Sequence, residues 1–161
     1  VVILVDNPNG IVLSDIGIMK DIFVDIGITK GSAVVMVDHE NKSIAVLKRF
    51  CAGELIDLFL TEKGTIFIED SNLIKGSWHG ATSRENVGKN KGFSSAIFQI
   101  LNHKGITIKP LKPSGYSSFF EKHKLEKIFK NKPKKTNTDQ RAALAMALLH
   151  SSSPIQNYLF I

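Results

Sequence analysis

The chain has 161 residues, 43% of them hydrophobic, with Gly and Pro at ordinary levels. It is long enough for one domain with its own core, and too apolar to be disordered. Twenty-one basic against fifteen acidic residues leave a formal charge of +6, which points to an acidic partner, nucleic acid being the commonest. Cys51 is the only cysteine, excluding an internal disulfide or a cysteine-based zinc site and fitting a reducing, cytoplasmic compartment. No apolar run approaches the ~20 residues that cross a membrane. The start lacks Met and signal-peptide character, which suggests a processed or truncated beginning.

In chain order, VVILV and IVL flank the turn formers DNPNG, so residues 1–20 read as a leading hairpin or appended segment before a domain over 21–161. IFVD, SAVVMVD and SIAVLKRF are β-rich segments separated by short polar turns, the pattern of a three-stranded antiparallel meander. AGELIDLFLTEKG has helical apolar spacing and TIFIED is a short buried strand. Residues 75–91 are polar and turn-rich, and FSSAIFQILNHKG is an amphipathic helix closed by Gly105. ITIKPLKP is a further strand and SFFEKHKLEKIFK a basic helix. After the spacer NKPKKTNT comes the apolar helix DQRAALAMALLH. The expected fold is α/β, a mixed sheet with helices on both faces.

Three acids stand out. Asp25 follows Ile22-Phe23-Val24, Glu69 follows Thr65-Ile66-Phe67-Ile68, and Asp139 opens a helix apolar nearly all round. Burying a lone carboxylate is expensive, so acids at the ends of buried elements invite explanation. A turn residue, a surface acid and a helix cap are the structural alternatives, in that order. Taken together, carboxylates brought close repel one another unless a cation lies between them, and oxygen donors select Mg²⁺ or Mn²⁺. Two such ions roughly 4 Å apart can cleave a phosphodiester. The scattered histidines (39, 79, 103, 123 and 150) show no zinc-ligand spacing.

The order of these acids resembles the RuvC-type Holliday junction resolvases, which have a ribonuclease H-like fold. FVDIGITKGSAVV is similar to their first strand and turn, IFIED to the strand with their catalytic Glu, VGKNKGFSSAIFQIL to their central helix, and DQRAALAMALLH to their last helix. The resemblance spans residues 20 to 152. It implies a Mg²⁺-dependent crossover junction endodeoxyribonuclease, with two Mg²⁺ or Mn²⁺ ions held by Asp25, Glu69 and Asp139. Lys112 corresponds to a lysine at the scissile phosphate, with Lys109 the alternative. The implied substrate is branched DNA, above all the four-way junction. Its two-fold symmetry implies a homodimer, with the helix over residues 92–101 as the candidate interface. The implied setting is the cytoplasm of a bacterial or phage-infected cell.

Two positions depart from the family. Its last helix carries an acid or histidine three residues after the first acid, where this chain has Ala142. The favoured explanation is an inactivating replacement of a native aspartate; the alternative is another ligand such as Asp70. Where the family has an aromatic three residues after its Glu, this chain has Asn72, and Trp78 is the substitute for stacking on bases. Arg84, Lys89, Lys91, Lys109, Lys122 and Lys124 complete the candidate DNA contacts. Residues 104–135 hold ten lysines and two glutamates, a composition suited to the backbone and shape of DNA rather than its sequence. Asp15, in a near-repeat of the Asp25 segment, lacks the strand and turn and is expected to be dispensable.

Three rival functions fit parts of the sequence. A junction binder that does not cut would suit a native Ala142. A sugar-kinase or actin-like phosphotransferase would suit DIGITKGSA but needs two domains. A nuclease acting on RNA–DNA hybrids shares the fold.

Overall fold

The computed structural model describes residues 20–73 and 81–161, with backbone only for residues 81–84, 86 and 87. The expected leading hairpin and Trp78 lie outside the described residues. Three strands open the fold: β1 (Lys20–Asp25), β2 (Ala33–Asp38) and β3 (Ser43–Val46). They pair antiparallel in sequence order, as the alternation of apolar runs and polar turns predicts. Helix α1 (Ala52–Thr61) follows, and then β4 (Thr65–Glu69) returns beside β1 in parallel. Helix α2 (Ala81–His103) leads to β5 (Ile108–Leu111), which pairs in parallel with β4. Two four-residue helices, α3 (Phe119–Lys122) and α4 (Leu125–Ile128), precede α5 (Thr138–His150) and the short strand β6 (Leu159–Phe160). The six-stranded sheet runs β5-β4-β1-β2-β3-β6.

β1 lies at the centre of this sheet and is covered on both sides. Ile22, Phe23 and Val24 are fully buried, which is why the strand reads as a continuous apolar run rather than an alternating one. Successive side chains part to opposite faces. Phe23 joins Val35, Ile44, Phe67 and the buried residues of α5, whereas Ile22 and Val24 join Ile66, Ile68, Leu55 and Phe59 of α1, and Ile97 and Leu101 of α2. Helices therefore cover both faces. The run Ala142-Ala143-Leu144-Ala145-Met146-Ala147 is wholly buried, and its small side chains suit close approach of α5 to β1 and β2.

Three segments differ from the sequence expectation. Residues 81–91, expected as turns, are the first half of α2; their polar composition hides the helix because its core-facing residues, Ile97 and Leu101, come later. The single basic helix over 118–130 is instead α3 and α4, separated by the extended residues His123 and Lys124. β6 was not anticipated and is only two residues long. Among the described residues, no helix is long and apolar enough to cross a membrane.

The starting end of β1 is fastened to the segment after α5 by a buried polar knot. His39 Nε2 lies 2.8 Å from Asp21 Oδ2, and its Nδ1 lies 2.9 Å from the Tyr158 hydroxyl. The Ser152 amide donates to the same Asp21 oxygen at 3.1 Å. The Ser152 and Ser153 hydroxyls add contacts of 3.2 Å to the same group, so removing a central member leaves several buried polar atoms less well matched. Asp21→Ala should therefore cost about 2–4 kcal/mol and Tyr158→Phe about 1 kcal/mol, measured by denaturant unfolding.

Candidate active site

β1 and β4 are parallel neighbours with Val24 opposite Ile68, so the next residues, Asp25 and Glu69, emerge side by side at one end of the sheet. Alternation sends both toward the face that α5 covers, with Phe23 and Phe67. α5 begins at that end. Its N-cap is Asn137, whose side-chain oxygen accepts from the Gln140 amide at 2.8 Å while Gln140 Oε1 accepts from the Asn137 amide at 3.0 Å. This reciprocal capping box satisfies the helix start without Asp139. The Asp139 carboxylate is thus released from the capping duty that the sequence had left open, and it is partly exposed.

The electrostatics tie the three acids together. The Asp25 carboxyl is pushed up to about 8, first by burial and then by the charges of Glu69 and Asp139, with Arg49 acting in the opposite direction. Burial also raises Glu69. A buried carboxyl raised further by neighbouring carboxylates marks a place where an added positive charge would be favourable. Oxygen donors of this kind suit Mg²⁺ or Mn²⁺ in their chemistry. As they stand, however, no three His, Cys, Asp or Glu side chains among the described residues are gathered closely enough to hold one ion jointly. Asp139 is engaged elsewhere: its Oδ2 lies 2.9 Å from Arg49 Nη2.

Asp25 and Asp139 border a cleft of about 450 Å³ whose other walls are the loop 26–31 and the residues Lys89 and Asn90 of α2. The loop turns tightly enough that a Cβ on Gly27 would stand 2.4 Å from the Gly31 carbonyl oxygen. Gly31 itself has φ +84°, the left-handed region that favours glycine. The Gly27 amide donates to Ser32 Oγ at 3.2 Å, closing the turn.

The remaining candidates divide. Lys112 is exposed and follows Leu111, the partner of Glu69 across the sheet, so it stands at the acidic end. Lys109 pairs with Phe67, its Nζ lies 5.5 Å from that ring's centre, and it lines a separate cavity with Lys20, Asp21 and His150 at the opposite end of β1. Asp70 is buried, and its Oδ1 accepts from the amide and side-chain nitrogens of Asn72 at 3.0 and 2.9 Å. Alternation along the chain turns Asp70 away from Glu69, and Asn72 links it to α2 through Ser95 Oγ and the Lys91 carbonyl. Ala142 is 2% exposed within the core cluster one turn below Asp139. Lys89 reaches the cleft and pairs with Glu85 at 2.7 Å; Lys91 is half-buried two residues on and does not line the cleft, and Arg84 lies on α2 with its side chain outside the described residues. Lys122 and Lys124 are exposed at and beyond the end of α3. Sequence reasoning missed Arg49, which has no local pattern to mark it.

Among solved structures, the chain is similar to T. thermophilus RuvC in complex with Holliday junction substrate, at 16% identity and a TM-score of 0.50. The match covers 82% of this chain and 92% of that one. No family model and no curated protein matches the chain. The likeness is one of fold. That fold is ribonuclease H-like, with the antiparallel meander, the parallel β4 and the helices on both faces all in their expected order.

The raised Asp25 has a signed consequence for stability. Between its unfolded value near 3.8 and its folded value of about 8, only the folded state holds the proton. Stability from this group therefore falls as pH rises through that window and levels off above it. In chelator, the thermal midpoint should drop from pH 5 to pH 8, and Asp25→Asn should flatten the slope. Gly27→Ala should displace the loop against Gly31 and lower the midpoint by several degrees, about 1–3 kcal/mol.

Proposed function

We propose that this protein is a structure-selective endonuclease that cleaves branched DNA, above all four-way junctions, by metal-dependent phosphodiester hydrolysis. The reading rests on one observation: carboxylates from β1, β4 and the start of α5 lie at one end of the sheet, near enough for Glu69 and Asp139 to raise Asp25, in a fold shared with a junction-bound protein. Asp25, Glu69 and Asp139 would hold Mg²⁺ or Mn²⁺, which when bound supplies Lewis-acid stabilisation of the phosphoryl oxygens and an acidified water.

The chain's own residues support the substrate side. Lys112, exposed just past Leu111, the strand partner of Glu69, is suited to neutralise the phosphate under attack. Lys89 in the cleft is suited to an adjacent phosphate. Lys132, Lys134 and Lys135, three of the ten lysines of 104–135, line with Arg141 a groove of about 320 Å³ on the approach to α5. Contacts of this kind follow the backbone and its geometry, which favours shape over sequence as the thing recognised. A junction's two-fold symmetry calls for two such sites, and we read the acting form as a homodimer.

Ala142 favours a second reading, a junction binder that does not cut. A carboxylate there would share a helical face with Asp139; alanine offers no ligand. Both readings face the same experiment: labelled four-way junction and duplex DNA incubated with this chain and with Ala142→Asp in Mg²⁺ or Mn²⁺. Junction-selective cutting by Ala142→Asp, with the unaltered chain slower by ~100-fold or more, is the expected outcome. Tight junction binding without cutting by either protein would leave only the binder. Ala142→Asp should also lower the thermal midpoint in chelator, because it buries a further charge, and Mn²⁺ should restore it.

A further inference from the structure

Arg49 is the one cation among the described residues in contact with any of the three carboxylates by ion pairing, and its position is built rather than incidental. Its Nη2 lies 2.9 Å from Asp139 Oδ2 and its Nη1 lies 3.4 Å from the Lys30 carbonyl oxygen, in the loop that walls the cleft. Its backbone is held by the bridge between Ser32 and Phe50, whose amides and carbonyls exchange hydrogen bonds of 2.8 and 2.9 Å. Gly31 packs against it so closely that a Cβ there would stand 3.2 Å from the Arg49 Cβ. The side chain is 30% exposed, and that of Asp139 41%.

We propose that Arg49 is a positioning residue, an internal counter-ion that holds Asp139 when no divalent ion is bound and must release it for one to bind. This rests on the reading that Asp25, Glu69 and Asp139 hold a cation. A guanidinium brings one charge and no lone pair, so it can neutralise these acids in part but cannot join them around an ion. It therefore competes with the ion twice: it occupies a ligand, and it adds a like charge beside the position the ion would take. Asp139 is the natural point of exchange, because it alone of the three projects from a helix start and is the acid in this pair.

The test titrates Mn²⁺ calorimetrically into the full chain and into Arg49→Gln, with thermal unfolding of each in chelator. Arg49→Gln should bind Mn²⁺ about fivefold or more tightly, the size expected from losing a partly exposed ion pair. Equal or weaker binding by a folded Arg49→Gln overturns the proposal while leaving the carboxylates as cation ligands. If neither protein binds Mn²⁺, the proposal also fails. The double variant Arg49→Gln/Ala142→Asp then separates the two ideas, since binding there keeps the carboxylate reading and its absence ends both. A second measurement needs no variant: the ¹⁵N side-chain resonances of Arg49 should change on saturation with Mg²⁺ as the pair with Asp139 opens. An unchanged Arg49 signal at saturation overturns the proposal.

Discussion

Like charges set side by side at the end of a buried sheet are the constraint around which this molecule is organised. Asp25 and Glu69 cannot avoid each other, because the parallel register of β1 and β4 is fixed by fully buried residues just before them. A one-residue slip would turn Phe23 and Phe67 out of one core and Ile22 and Ile66 out of the other. The hydrophobic packing thus compels an electrostatic arrangement that is unfavourable on its own. α5 adds a third acid at the same end for the same reason: its alanine-rich body must lie across β1 and β2, and its capped start arrives where those strands end.

How the chain relieves that strain joins the fold to its chemistry. Protonation of Asp25 is one route and the guanidinium of Arg49 is another. Neither saturates the oxygen atoms of three carboxylates. A divalent ion would answer the same electrostatic need more completely; folding brings the three acids to one end of the sheet but leaves Asp139 paired with Arg49 rather than gathered with the others. Energy from the apolar layers is in this sense stored as proximity between charges.

Much of this was visible in the order of residues. The meander, β4, α1 and α5 declare themselves because burial on one or both faces leaves apolar runs of strand or helix length, and the three acids declare themselves by ending or beginning such runs. The first half of α2 does not, since its described core contacts begin only at Phe93 and continue at Ile97 and Leu101. The break at His123 and Lys124 is hidden because lysine-rich segments score as helical whether or not tertiary packing bends them. Arg49 is hidden for a different reason. Its partner is ninety residues away, and the contact exists only once the Ser32–Phe50 bridge and the start of α5 have been brought together. By contrast, the binding of Asp70 by Asn72 is local, an Asp-x-Asn turn that spacing alone can reveal.

β1 carries two aspartates on one face, and they meet opposite fates. Asp21 is enclosed by His39 and Ser152 with its hydrogen bonds made, whereas Asp25, four residues on, is left short of them. The strand therefore acts as a spacer between an anchored end and an electrostatically strained end, about 13 Å apart. Substitutions around Asp25, Glu69 and Asp139 can alter the electrostatics of that end while the knot at Asp21 continues to clamp the sheet to the segment after α5. Such a separation lets the acidic end change without unfastening the frame that carries it.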